Sequence, residues 1–201
     1  MFSPLELLWA LIGLVLTIGA TWLEAFVVFI ETPWTADNIS LQLYSLKVSF
    51  QVGAVLLAAC LGGRRAGAMA QIAYLTLGLF LLPNVGLPVF TQGGGLDYVR
   101  EPSFGYLLGF VPGAWICGQL AFEASPKLET LAYSCLWGLG IIHACGLVYL
   151  AVASLGGWLK VGVEPFWTLA LAYTVLPLPG QLIGVCAVAV MAFGTRRLLF
   201  Y

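Results

Sequence analysis

Residues 131–155 of this 201-residue chain read LAYSCLWGLGIIHACGLVYLAVASL and contain no Asp, Glu, Lys or Arg. A helix needs about 20 mostly apolar residues to cross the hydrocarbon core of a bilayer, so this stretch is long enough to span a membrane. The whole chain is similar in character, because it is 61% hydrophobic and 8% charged, with a mean hydropathy of +1.00. Soluble domains carry roughly 25% charged residues, so a chain this apolar requires lipid as its solvent.

Other apolar runs flank this one and are separated by Pro, Gly and charged residues. Before the last run, Pro177, Pro179 and Gly180 indicate a short helix followed by a break. No Lys or Arg precedes the first run, which argues against a cleaved signal peptide. The pattern predicts an all-α membrane protein, a single domain over residues 1–201 with six transmembrane helices, at about residues 7–29, 48–62, 66–82, 104–122, 131–155 and 181–199.

Basic residues favour one side of the predicted bundle. Six spans place both termini on the same side of the membrane, and cytoplasmic loops are enriched in Lys and Arg, so we expect both termini to be cytoplasmic. The longer loops, around residues 31–47, 83–103 and 156–165, then face outward and could form the mouth of a solute site. The terminal side receives Arg64, Arg65, Lys127, Arg196 and Arg197, and the opposite side receives Lys47, Arg100 and Lys160.

The sequence lacks the motifs that are typical of several classes of protein function. The net charge of −1 argues against nucleic-acid binding, which needs a basic surface. The chain has one histidine and no G-x-S-x-G or GxxxxGK[ST] motif, so we expect no catalytic residues, no metal site and no nucleotide hydrolysis. The five cysteines lack CxxC spacing and are expected to be small buried residues rather than disulfides or zinc ligands. His143, central in its span, either contacts a ligand or is a hydrogen-bonded structural residue.

The outward loops and helix ends hold the candidate binding residues. A small carboxylate ligand would need a cation, which Arg100 or Lys160 could supply, although both could equally be surface charges at the headgroup level. Amides, hydroxyls and aromatic rings would hold and cover the rest of the ligand, and the glycine run would let the backbone approach it. These further candidates are Gln51, Tyr74, Phe90, Gln92, Gly93, Gly94, Tyr106 and Gln181.

Small residues form two stripes at helical spacing. Gly105, Gly109 and Gly113 repeat every four residues and allow close helix packing. The other stripe, on the first helix, suits either internal packing or docking against another membrane subunit. It consists of Ala10, Gly13, Thr17 and Ala20.

Residues 86–110, GLPVFTQGGGLDYVREPSFGYLLGF, resemble the signature of the BioY family, the biotin-specific substrate-binding (S) components of energy-coupling-factor transporters. The Arg pair after CLGG and the PLPGQ break at residues 177–181 fit the same pattern. The resemblance implies a six-helix bundle in a prokaryotic-type plasma membrane, with a biotin pocket near the outer face. It also implies coupling to a membrane scaffold (T) subunit and two ATPase subunits, with no cofactor beyond biotin as the transported ligand. The stripe on the first helix resembles the family's docking surface.

Two positions depart from the family pattern. Gln181 and Gly184 stand where the family usually has Asp and Lys. The amide of Gln181 can still hydrogen-bond the ureido ring of biotin, and we hypothesise that Arg100 supplies part of the missing positive charge. The same architecture could capture another vitamin. A structural membrane protein that organises partner subunits is the alternative from a different class.

Overall fold

The structure is a computed structural model that describes residues 3–31, 40–81, 89–90, 93–159 and 165–199, with the backbone alone for residues 24–31 and 40–49. In these residues five helical segments are long and apolar enough to cross a membrane, so the chain is a mostly helical membrane protein. These segments are Pro4–Thr21, Gln51–Leu81, Phe104–Glu123, Leu128–Gly156 and Phe166–Leu199.

Six α-helices and one two-stranded antiparallel sheet form the described chain. A 3₁₀ turn at Leu96–Arg100 precedes α3, and π-helical turns at Leu77–Leu81 and Leu171–Val175 follow α2 and α5. The elements are α1 (Pro4–Thr21), β1 (Glu24–Glu31), β2 (Ser40–Ser49), α2 (Gln51–Thr76), α3 (Phe104–Glu123), α4 (Leu128–Gly156), α5 (Phe166–Ala170) and α6 (Leu178–Leu199).

The β1–β2 hairpin corrects the predicted first span. That span was expected to reach residue 29, but α1 ends at Thr21 and residues 24–31 pair with residues 40–49. Hydropathy alone does not separate a helix from a strand in a short apolar run. The sequence VVFI at residues 27–30 is β-branched and aromatic, which favours the extended chain. Outside this hairpin, the regular secondary structure of the described residues is helical.

Gly63 turns α2 back on itself. Its backbone angles, φ 78° and ψ −179°, lie in a region that essentially only glycine occupies. The side chain of Gln51 donates a hydrogen bond to the Tyr74 hydroxyl, whereas 23 residues of straight helix would separate them by about 34 Å. Residues 51–62 and 64–76 are thus two antiparallel arms, at the positions where the sequence predicted the second and third spans.

The small-residue stripe of α1 packs inside the chain. A Cβ atom on Gly13 would lie 2.8 Å from the Ala58 side chain and 3.0 Å from that of Ala70, one on each arm of α2. Thr17 is fully buried and accepts a hydrogen bond of 3.1 Å from Gln71. These contacts favour internal packing, one of the two interpretations of the stripe that the sequence left open. All four residues, Ala10, Gly13, Thr17 and Ala20, are buried.

The glycine row of α3 brings that helix close to α4. A Cβ atom on Gly109 would lie 2.8 Å from the Ile142 carbonyl oxygen, and one on Gly113 would lie 2.7 Å from the Ile142 side chain. A larger residue at either position would push the helices apart. This row therefore sets the distance between α3 and α4.

Basic residues gather at one end of the bundle, which we call the arginine end. Arg65 pairs with Glu6 at the start of α1, with 3.7 Å between their charged atoms. The Arg196 guanidinium donates a 2.7 Å hydrogen bond to the Ala121 carbonyl, which joins the ends of α6 and α3. The α2 turn, the start of α1 and the ends of α3 and α6 therefore meet here. The first residue of α2 and Tyr74 lie at the opposite end.

Candidate functional site

Tyr74 is the centre of a buried polar cluster at the opposite end. Its hydroxyl accepts a hydrogen bond from Gln51 and donates one of 3.0 Å to the Val89 carbonyl. Thr21, the last residue of α1, lies 3.5 Å from the same hydroxyl. Both bonds of this hydroxyl are made within the chain. Gln51 and Tyr74 thus hold the segment at Val89 against both arms of α2.

Hydrogen bonds between backbone groups hold the loop after α2 in shape, and glycines occupy the positions at which they form. Phe90 and Gly93 exchange two hydrogen bonds of 3.0 Å, and the Gly95 amide donates to the Gly78 carbonyl at 3.0 Å. Gly93 and Gly95 have φ angles of 116° and 89°, where other residues are strained. A Cβ atom on Gly78 would come within 2.2 Å of the Phe90 ring, so glycine there lets the loop approach. The glycine run shapes this loop.

Aromatic rings line the loop and the neighbouring helix ends. The Phe90 ring lies edge-on to Tyr74 at 5.3 Å and 4.7 Å from Tyr98, measured between ring centroids. The Tyr98 hydroxyl is 3.0 Å from the Ser103 hydroxyl. Burial raises the pKa of Tyr98. Phe90 and Tyr98 therefore pack the loop against Tyr74 at the end of α2.

His143 on α4 is hydrogen-bonded to Gln181 on α6. The imidazole Nε2 and the amide Oε1 are 2.6 Å apart, and the His143 residue is 7% exposed. If the amide oxygen accepts, Nε2 carries the proton and Nδ1 presents a lone pair. Nδ1 is buried and has no hydrogen-bond partner among the described residues. This pair thus offers an acceptor at Nδ1, which is unpartnered among the described residues, and an amide donor at Gln181.

Tyr106 packs beside the His143–Gln181 pair. Its ring stands edge-on to His143 at a centroid distance of 5.7 Å and stacks on Tyr173 at 6.2 Å. Its hydroxyl is 2.6 Å from the hydroxyl of Thr174. Tyr173 and Thr174 were missed from the sequence because they lie in an apolar stretch whose helical register is broken by a π-helical turn.

An apolar groove of about 430 Å³ runs between α1, the first arm of α2 and α6. Gln181 carries the one polar side chain among the described residues that line it, and Gly184 lies one turn further along α6. A Cβ atom added to Gly184 would meet no atom within 4 Å, so the groove is open at that point. Small-molecule sites are typically 300–1,000 Å³, mostly apolar and fixed by a few polar groups. The groove fits that description.

The remaining predicted binding residues lie at different places in the structure or outside the described residues. Gly94 is half-buried within the loop, and Arg100 is exposed at the end of the 3₁₀ turn. Arg100 forms no ion pair within the part of the chain that the structure describes. Gln92, Lys160 and the side chains of Glu24 and Lys47 lie outside the described residues. The structure brings together three pairs, Gln51 with Tyr74, Phe90 with Gly93, and Tyr106 with Gln181 through His143.

Comparison with known proteins identifies relatives over the full chain and over parts of it. The model of the BioY family matches residues 5–200. An uncharacterized 21.2 kDa protein of Cyanophora paradoxa, from the psbX-ycf33 intergenic region, is 31% identical over 195 residues, which are 96% of this chain and 95% of that protein. A probable biotin transporter BioY of Lysinibacillus sphaericus is 41% identical over 124 residues, 61% of this chain and 60% of that protein. The biotin transporter BioY of Thermotoga maritima is 37% identical over 134 residues, 64% of this chain and 74% of that protein.

The fold also matches a solved structure. A crystal structure described as the S-component for biotin from an ECF-type ABC transporter superposes with a TM-score of 0.67. The match covers 96% of this chain and 90% of that one, at 20% sequence identity. At that identity, the likeness establishes a common fold.

Proposed function

The chain belongs to the BioY family, and on that premise we propose that it captures biotin for uptake as the substrate-binding component of an energy-coupling-factor transporter. The relatives with a named function are biotin transporters. The role of the chain is therefore to bind biotin and take part in its transport, and it catalyses no reaction itself. The observation that carries the proposal is the apolar groove whose lining includes the Gln181 amide as its polar side chain among the described residues.

The chemistry of the groove suits the two parts of biotin. The thioether ring and aliphatic chain of biotin are apolar and need a dry, apolar lining. Phe50 and Leu23, at the base of the β1–β2 hairpin, and Val188 on α6 are among the residues that supply it. Gln181 then marks the part of the groove at which the polar ureido ring would bind.

His143 and Gln181 together complement a ureido group. That group has one carbonyl acceptor and two N–H donors. The Gln181 amide nitrogen can donate to the carbonyl, and the unpartnered Nδ1 of His143 can accept from an N–H. Two neutral groups can thereby replace the Asp and Lys that the family usually has at positions 181 and 184.

The carboxylate of biotin requires separate recognition. Arg100 is exposed at the same end of the bundle as Tyr98, and Lys160 follows α4 in the sequence. We retain both as candidate cations, since an ammonium or guanidinium is the usual partner of a carboxylate. We assign Gln51, Tyr74, Phe90, Gly93 and Gly94 to shaping the loop at the same end of the bundle as Gln181, with Gln92 a further candidate in that loop, and Tyr106 to the aromatic surroundings of the His143–Gln181 pair.

The proposed topology has six membrane crossings with both termini in the cytoplasm of a prokaryotic-type cell. The two arms of α2 count as separate crossings because Gly63 reverses the chain. Arg64, Arg65 and Arg196 all lie at the arginine end, and cytoplasmic sides are enriched in such residues. The pocket then faces outward from the plasma membrane. A membrane scaffold subunit and two ATPase subunits would supply the energy for transport.

The experiment that tests the function is equilibrium binding of labelled biotin to the full chain purified in detergent. We expect saturable binding with one biotin per chain, displaced by unlabelled biotin and by none of the other water-soluble vitamins. Binding of a different vitamin in place of biotin would reassign the ligand while keeping the capture role. No binding of any vitamin by a monodisperse protein would favour the structural alternative.

A further inference from the structure

Three cysteines meet inside the bundle, and none of them lines the apolar groove proposed to bind biotin. Cys60 lies on the first arm of α2, Cys117 on α3 and Cys135 on α4, and all three are fully buried. The Cys60 sulfur is 3.6 Å from that of Cys117 and 3.5 Å from that of Cys135. The three sulfurs all lie within 4.8 Å of one another. CxxC spacing could not reveal this cluster, because each cysteine comes from a different helix.

We propose that Cys60, Cys117 and Cys135 form a binding site for one divalent thiophilic cation, of which Zn²⁺ is the representative. Zn–S bonds of about 2.3 Å at tetrahedral angles place sulfurs roughly 3.8 Å apart, so small side-chain rotations suffice to bind the ion. Thiolates select Zn²⁺ and similar soft ions over Mg²⁺ and Ca²⁺, which need oxygen ligands. The Leu56 carbonyl oxygen, 3.8 Å from the Cys117 sulfur, or a water could fill the fourth position.

The charge around the cluster favours a divalent ion. A divalent ion leaves one net negative charge on three thiolates, whereas a monovalent ion leaves two, and uncompensated charge in the apolar interior is costly. The guanidinium of Arg196 is buried and donates a hydrogen bond to the Ala121 carbonyl, one helical turn from Cys117. Binding converts three thiols to thiolates and releases three protons to the solvent.

The arginine end offers the ion a route to the cluster. A groove of about 430 Å³ there is lined by Gly62, Gly63 and Gly118, close in sequence to Cys60 and Cys117. The carboxylates of Glu6 and Glu123 line this groove together with the guanidinium groups of Arg64 and Arg65. Once bound, the ion would tie α2, α3 and α4 together near the end at which the chain turns.

The test is metal binding by the full chain in detergent, kept reduced with a phosphine and incubated with Zn²⁺ alone. After gel filtration, we expect one zinc per chain by mass spectrometry. Loss of a residue that only hydrogen-bonds a metal ligand already weakens metal binding 10- to 100-fold, so loss of a ligand itself should weaken it by at least about 100-fold. We expect this for each of Cys60→Ser, Cys117→Ser and Cys135→Ser. Cys186→Ser is the matched control, since Cys186 is exposed on α6, and it should bind as the wild type does.

A second measurement needs no variant and so does not depend on the serine proteins folding. Co²⁺ added to the wild-type chain should give intense thiolate-to-metal charge-transfer absorption, which excess Zn²⁺ abolishes. A wild-type chain that retains no zinc, or a cobalt spectrum without thiolate bands, would overturn the proposal. So would a Cys60→Ser protein that binds zinc as tightly as the wild type. Biotin binding is measured separately, so its failure does not bear on this site.

Discussion

Gly184→Leu tests whether biotin occupies the groove beside Gln181. The structure leaves open space at this position, because an added Cβ atom meets nothing within 4 Å. A leucine there would project into a groove of about 430 Å³ that is empty of other side chains at that point. The substitution should therefore fill the proposed pocket without disturbing the packing of α6.

The expected effects on binding and on stability have opposite signs. Overfilling a packed site costs about 1–3 kcal/mol, so the Kd for biotin should rise roughly 5- to 150-fold. Replacing glycine by leucine within a helix favours folding by about 0.5–1 kcal/mol, so the melting temperature should be equal or higher. A general loss of structure would instead lower both affinity and stability.

The assay is labelled-biotin binding together with thermal unfolding of the same detergent-solubilised protein. Gly194→Leu is the matched control: Gly194 is also on α6 and also has no atom within 4 Å of an added Cβ, but it does not line the groove. It should keep wild-type affinity. If Gly184→Leu binds biotin as tightly as the wild type, the ligand does not lie against this part of α6 and the reasoning from the groove is refuted.

Three further predictions concern the polar end, the cation and the turn. Gln181→Met should raise the Kd for biotin roughly 5- to 150-fold, since a lost hydrogen bond at a buried site costs about 1–3 kcal/mol. Gln119→Met, which removes a bond to Glu123 outside the groove, should leave the Kd unchanged. Equal Kd values for the two variants would remove Gln181 from the site. Arg100→Ala should lower the affinity for biotin more than the affinity for biotin methyl ester, measured by competition binding. An equal loss of affinity for both ligands would show that Arg100 does not bind the carboxylate. Gly63→Ala should destabilise the fold by about 1–3 kcal/mol in thermal unfolding, because the φ angle of 78° at this position strains any residue other than glycine. Gly184→Ala is the control and should not destabilise the fold. A Gly63→Ala melting temperature equal to that of the wild type would contradict the assigned turn.

The helices could be located from the sequence because membrane spans depend on local composition. Residues 104–122 and 131–155 fall within α3 and α4, and the break expected at Pro177–Gly180 lies where α6 begins at Leu178. The turn at Gly63 was also visible, as two glycines followed by two arginines. The hairpin at Glu24–Glu31 was not, because an apolar run of that length suits either a strand or the end of a helix.

The candidate site was less accessible to sequence reasoning. Gln181 was recognised as a polar residue at a helix break, but its partner His143 is 38 residues away on another helix. The α1 stripe had the small residues of a docking surface, and only its contacts with Ala58 and Ala70 show that it faces inward. Which side of a helix faces a neighbour depends on how both helices are rotated.

The sequence by itself determined the membrane environment, most of the helix positions and the family, since hydropathy and a local motif are read from consecutive residues. The tertiary structure decided which side chains meet. It paired His143 with Gln181 and gathered Cys60 with Cys117 and Cys135, residues that lie 57 and 75 positions from Cys60. The physical reason is that contacts over such distances follow from helix packing, and glycines such as Gly109 and Gly113 set that packing through close backbone approach.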